Sequence, residues 1–144
     1  METTKTLRPE VYTNKGYEPL TGLEEEIATK IVNAAYKVHS NLGPGLLEKI
    51  YETCFCYELK KSGLEFKTQV KLPIIYEGIT FNEGLVLDVL VEDLVICELK
   101  SVKETTSVDD AQLLSHIRLA KKRLGFLINF NVTRIKEGIF RKIL

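Results

Sequence analysis

Apolar residues fall into helical and then strand-like periods from about residue 20 onward. Leu23, Ile27, Ile31, Ala34, Ala35 and Val38 recur at three- and four-residue steps. They follow Thr21-Gly22-Leu23-Glu24, a capping-box pattern, and predict a helix to about Ser40. Gly43-Pro44-Gly45 breaks it, and a second helix is expected from about Leu46 to Lys61, stopped by Gly63. Glu65 to Lys71 and Pro73 to Tyr76 read as strands, Gly78 as a turn, and the chain re-enters a strand before Asp88. Ser107 is the expected cap of a third helix from about Val108 to Leu124. Its last turn would carry Lys121, Lys122 and Arg123 at the negative end of the helix dipole, with Gly125 as its stop. Phe126 to Phe130 reads as a buried strand and Gly138 to Leu144 as the last one. Residues 1–19 are polar, contain Pro9 and Pro19, and show no period, so a flexible arm is expected ahead of a single domain over residues 20–144. The element order describes an α/β or α+β sheet with helices packed on it.

One stretch breaks the pattern chemically. Residues 85–101 read as two apolar strands joined at Glu92-Asp93, yet Asp88, Glu98 and Lys100 sit inside them. Burying an unpaired charge costs several kcal/mol or forces the group to neutralise. Two carboxylates holding a divalent metal beside a lysine would compensate. Directly opposed residues of an antiparallel pair point the same way. A two-residue turn would set Asp88 against Cys97; a three-residue connection or a bulge sets it against Glu98 and preserves the site. The competing reading is a surface hairpin with three solvated charges, and the apolar neighbours on both faces argue against it.

Composition adds bounds rather than direction. The 144 residues suit one domain, with 28% charged and 44% hydrophobic residues. Twenty basic and twenty acidic residues cancel, so a nucleic-acid partner would have to be met by a local patch. Cys54, Cys56 and Cys97 have no metal-ligand spacing and read as free thiols. With no secretory signal and no apolar run of about 18 residues, a cytoplasmic protein without a membrane partner is expected.

Three further residues are candidates for the site. Glu48 heads a helical stripe with Tyr51, Phe55 and Leu59; it either opens on a polar site or only favours the helix dipole. Gln112 and His116 form an i, i+4 pair on the third helix, suited to orienting a water or donating to a phosphate, or else to a plain polar shoulder. His39 reads as a capping or packing residue.

Gly45-x-x-Glu48-x-x-Tyr51, after Leu42-Gly43-Pro44 and followed downstream by Asp88 and Glu98-Leu99-Lys100, resembles the GxxExxY proteins of the PD-(D/E)xK nuclease superfamily over about residues 20–144. The resemblance implies a restriction-endonuclease-like α/β core, a mixed central sheet flanked by helices. It implies a metal-dependent nuclease hydrolysing phosphodiester bonds, with Glu48, Asp88, Glu98, Lys100 and Gln112 as catalytic residues. Mg²⁺ or Mn²⁺ would be held by Asp88, Glu98, the Leu99 carbonyl and Glu48, an oxygen set suited to such ions. Lys100 would position the nucleophile and offset transition-state charge. Lys103, His116, Arg118 and Arg123 are the expected contacts to nucleic acid, DNA before RNA, and a homodimer would widen that groove. Where relatives carry Gln-x-x-x-Tyr this chain has Gln112-x-x-x-His116, and Leu87 stands where proline precedes the aspartate. The alternative is a non-catalytic nucleic-acid-binding or assembly module that retains the fold, which the neutral charge balance favours.

Overall fold

The structure is a computed structural model and describes residues 18–144. All but the last two positions of the expected N-terminal arm lie outside the described residues. Thr21 caps helix α1 (Gly22–Leu42): its hydroxyl accepts from the Glu24 N–H while the Glu24 carboxylate accepts from the Thr21 N–H. Helix α2 (Glu48–Lys61) follows the Gly43-Pro44-Gly45 break. A five-stranded sheet comes next, formed by β1 (Phe66–Tyr76), β2 (Ile79–Val91), β3 (Val95–Lys100), β4 (Leu124–Asn129) and β5 (Ile139–Ile143).

Spatial order in the sheet equals chain order, which leaves β3 in the middle. Every neighbouring pair is antiparallel except β3 and β4. Parallel neighbours need a crossover, and helix α3 (Ser107–Leu119) supplies it. This is the mixed sheet flanked by helices that the resemblance implies.

Alternation along β3 sorts the core into two layers. Val95, Cys97 and Leu99 pack with Ile31, Tyr51 and Phe55 of α1 and α2. Ile96 turns to the other face and packs with Leu113 and Ile117 of α3 and with Leu127 and Phe140. Both faces of the central strand are therefore covered, as its near-continuous apolar sequence requires.

Several local expectations are corrected. Thr106, not Ser107, caps α3, in a second capping box with Asp109. The helix ends at Leu119 rather than Leu124, and Lys121 takes a left-handed conformation with φ 60°. Lys121, Lys122 and Arg123 therefore form the connection to β4 instead of the helix's last turn. Gly125 does not stop the helix; it lies in β4, where a Cβ would sit 2.7 Å from Ile117 Cδ1 and 3.0 Å from Leu113 Cδ1. The glycine lets α3 approach the sheet. Residues 66–76 make one strand across Pro73, at a shift in register between Leu72 and Ile74.

Candidate functional site

The turn between β2 and β3 sets the register of the charged hairpin. Glu92 and Asp93 both adopt left-handed conformations, with φ 54° and 57°, under a hydrogen bond from the Leu94 N–H to the Val91 carbonyl. Two such residues match the strand twist, as in type I′ hairpins. Leu94 is then extra, and pairing resumes at Val91 opposite Val95, Leu90 opposite Ile96 and Val89 opposite Cys97. The pairing ends there; one further step at this register would bring Asp88 opposite Glu98, the arrangement that a three-residue connection predicts. Two links fasten the turn: Glu92 exchanges hydrogen bonds with the Glu65 backbone, and Asp93 pairs with Lys122 at 3.3 Å.

Asp88 itself leaves the ladder. Its Oδ2 accepts from the Leu99 N–H at 2.9 Å, taking the place of a backbone partner where β2 and β3 part. In an extended strand the N–H and C=O of one residue face the same edge, so the Leu99 carbonyl is directed toward this gap as well.

Glu48 reaches the site through the glycine-rich loop before α2. Gly45 has φ 99°, a conformation that side chains rarely adopt. The Tyr51 hydroxyl donates to the Gly43 carbonyl at 2.6 Å and accepts from the Leu46 N–H at 3.1 Å. The Tyr51 ring stacks on Phe130, with centroids 4.7 Å apart. The Ser101 hydroxyl, one residue beyond β3, donates to the Leu46 carbonyl at 2.6 Å. Glycines, tyrosine and serine thus tie the first residue of α2 to the end of β3, and Glu48 lies exposed at that junction.

Electrostatics register the convergence. Burial first, then repulsion from Glu98, Glu48 and Glu52, pushes the Asp88 carboxyl up to about 6, against the lowering effect of the Leu99 N–H. Glu48, exposed at one side and shielded by protein at the other, is raised above the ordinary carboxylate range by that partial burial and by Glu52 and Glu98, with Lys100 acting in the opposite direction. Four carboxylates and one ammonium thus share a field.

Helix α3 meets β3 from the other side. His116 is 4% exposed, and its Nδ1 lies 3.2 Å from Glu98 Oε2. Lys100 Nζ lies 3.7 Å from Asp109 Oδ1. The structure therefore places His116 inside the protein, bonded to a carboxylate, and not on a surface open to phosphate. Gln112 and Arg118 of α3 are exposed, as is Lys103 beyond β3. The Arg123 guanidinium is engaged by the backbone carbonyls of Leu144 and Glu18.

Glu52 and Gln69 escape sequence reasoning. Glu52, 8% exposed, accepts from the Gln69 amide at 3.4 Å and pairs with Lys49 at 3.5 Å. Its position one turn after Glu48 is a signal that helical periodicity carries. Gln69, in a left-handed conformation with φ 51° inside β1, has no such signal.

Hard oxygen donors, Asp88, Glu98, Glu48 and the Leu99 carbonyl, fit Mg²⁺ or Mn²⁺ in kind. Among the described residues no three acidic, histidine or cysteine side chains form a ready-made metal-binding group. Mg²⁺ is commonly held by one or two carboxylates and retains waters, so it does not demand three side-chain ligands. Among the described residues no helix is long and apolar enough to cross a membrane.

A family model described as the PD-(D/E)XK nuclease superfamily matches residues 25–142. No curated protein and no solved structure matches the chain.

Proposed function

From the membership of this chain in the PD-(D/E)XK nuclease superfamily, we propose that it is a metal-dependent nuclease that hydrolyses phosphodiester bonds, with DNA before RNA as substrate. The carrying observation is the hairpin register, which pairs Val89 with Cys97, together with the hydrogen bond from the Leu99 N–H to Asp88; both support a site shared by Asp88, Glu98 and Lys100. The finer placement among the GxxExxY proteins rests on the sequence pattern of Gly45, Glu48 and Tyr51; of these, Tyr51 holds the loop before α2 at Gly43 and Leu46, and Ser101 joins Leu46 to the end of β3.

Asp88, Glu98 and the Leu99 carbonyl would hold the divalent ion, with Glu48 as a further ligand. The ion supplies Lewis-acid charge for attack on phosphorus. The protein's own residues do the rest. The Leu99 N–H orients the Asp88 carboxylate, and His116 holds one oxygen of Glu98. Lys100, released from Asp109 toward the scissile phosphate, orients the attacking water and offsets the charge that develops on the phosphoryl oxygens. Lys103 and Arg118 are both exposed, and in this reading they meet the phosphate backbone beside α3. Gln112 is assigned to orienting the substrate on that helix.

The test is incubation of metal-stripped protein with single- and double-stranded DNA and RNA, adding Mg²⁺ or Mn²⁺, alongside Asp88→Ala and Lys100→Ala. Cleavage by the wild type and loss in both variants is expected. No cleavage together with no metal-induced rise in melting temperature would sink the proposal, since a ligand selective for the folded state stabilises it. Binding without cleavage would point to the non-catalytic module, a reading favoured by the zero net charge and by the internal engagement of Arg123.

A further inference from the structure

We propose that His116 is a positioning residue for Glu98, holding one carboxylate oxygen so that the other is presented to the divalent ion. This rests on the metal-dependent reading above and adds a residue that acts on the site from behind.

The sequence neighbourhood makes His116 anomalous. On the inward side of α3 it stands among Leu113, Ile117 and Ala120, where a leucine would pack without any polar group to satisfy. Yet it is 4% exposed and within hydrogen-bond distance of a carboxylate that is itself 8% exposed. A buried polar ring is stable only with a partner, and Glu98 Oε2 is that partner, 3.2 Å from Nδ1. An ionised carboxylate only accepts, so Nδ1 carries the hydrogen. The contact occupies Oε2 and leaves Oε1 without a hydrogen bond to any described residue. A glutamate side chain is rich in rotamers, and one fixed oxygen removes much of that freedom before any ligand arrives.

The same helix treats the next charged residue in the same way. Asp109 lies two turns before His116 and so shares its side of α3. Its Oδ2 is fixed by the Thr106 N–H at 3.0 Å, and its Oδ1 faces the Lys100 ammonium at 3.7 Å. Glu98 and Lys100 share one face of β3, and each meets its own partner on α3. One helix thus carries a partner for each of the two charged side chains.

The experiment is Mn²⁺ titration by calorimetry, with parallel thermal melts, on the full chain and on His116→Asn, His116→Gln and His116→Leu. The asparagine amide nitrogen falls near the place of Nδ1, whereas the glutamine nitrogen falls near that of Nε2. Outer-shell partners of metal ligands are typically worth about 10–100-fold in affinity. Leucine and glutamine are therefore expected to weaken Mn²⁺ binding by roughly that factor, while asparagine stays close to the wild type. A purely structural histidine would lower the melting temperature and leave the affinity of folded variants unchanged. If wild type and all folded variants bind Mn²⁺ alike, this inference is overturned; should leucine fail to fold, equal affinities for asparagine and glutamine overturn it alone. A wild type that binds no Mn²⁺ rejects the metal-dependent reading itself, a different and separately visible outcome.

Discussion

Asp88→Asn is expected to make the metal-free protein more stable while abolishing cleavage. Burial and three neighbouring carboxylates raise the Asp88 carboxyl from an ordinary 3.8 to about 6. The folded state therefore holds its proton more tightly than the unfolded chain. Stability is fullest below about pH 4, falls as the pH rises toward 6, and stays reduced above it. Two pH units correspond to about 3 kcal/mol, and because the carboxylate is only partly buried, solvent screening trims this to about 1–2 kcal/mol. Asparagine removes the charge and keeps an oxygen for the Leu99 N–H. In EDTA at pH 8 the variant should melt roughly 3–6 °C above the wild type, a gain that vanishes near pH 4. Added Mn²⁺ should raise the wild type and leave the variant unmoved. A variant that melts at or below the wild type at pH 8, or gains as much at pH 4, would refute the account of Asp88 as a carboxylate under repulsion.

Two further predictions address how the site is held. Tyr51→Phe keeps the stack on Phe130 but leaves the Gly43 carbonyl and the Leu46 N–H without the hydroxyl. We expect a loss of about 1–3 kcal/mol in denaturant unfolding, and cleavage slower by roughly 10–100-fold because Glu48 is no longer fixed. Lys142 is fully buried and paired with Asp110 of α3. Lys142→Met alone should destabilise by about 3–5 kcal/mol by stranding a carboxylate, and Asp110→Leu added to it should restore most of that loss. A single variant as stable as the wild type would show that the pair does not anchor α3.

The sequence carries the sheet and its helices through apolar periodicity, and the charged hairpin through its violation. Its readable limits have physical causes. The end of α3 is misplaced because Lys121 takes a left-handed conformation normally marked by glycine, while Gly125, the obvious stop signal, serves helix–sheet packing instead. Glu92 and Asp93 are likewise left-handed without glycine, so the turn geometry that selects the register is not visible as a motif. Candidate residues on β2, β3 and the start of α2 converge, because strand alternation and helix phase are local rules. The tasks of His116 and Arg123 depend on which distant groups the fold delivers to them, Glu98 for one and the Leu144 carbonyl for the other. No local pattern encodes such partners.

The three charges of the hairpin are compensated unequally, and the inequality bears on whether the fold is still a working one. Glu98 has His116 and Lys100 has Asp109, each across an internal contact with α3. Asp88 has a single backbone N–H against burial and three carboxylates. A protein selected only to keep its fold gains by replacing such a residue, since a neutral isostere retains the hydrogen bond and removes the repulsion. The least compensated acid lies in the gap between β2 and β3, beside the edge toward which the Leu99 carbonyl is directed. A cation bound there would offset the repulsion and burial that act on it. The stability forgone at Asp88 is therefore what the proposed metal-dependent reading accounts for, and metal-induced stabilisation of the wild type but not of Asp88→Asn is the measurement that checks it.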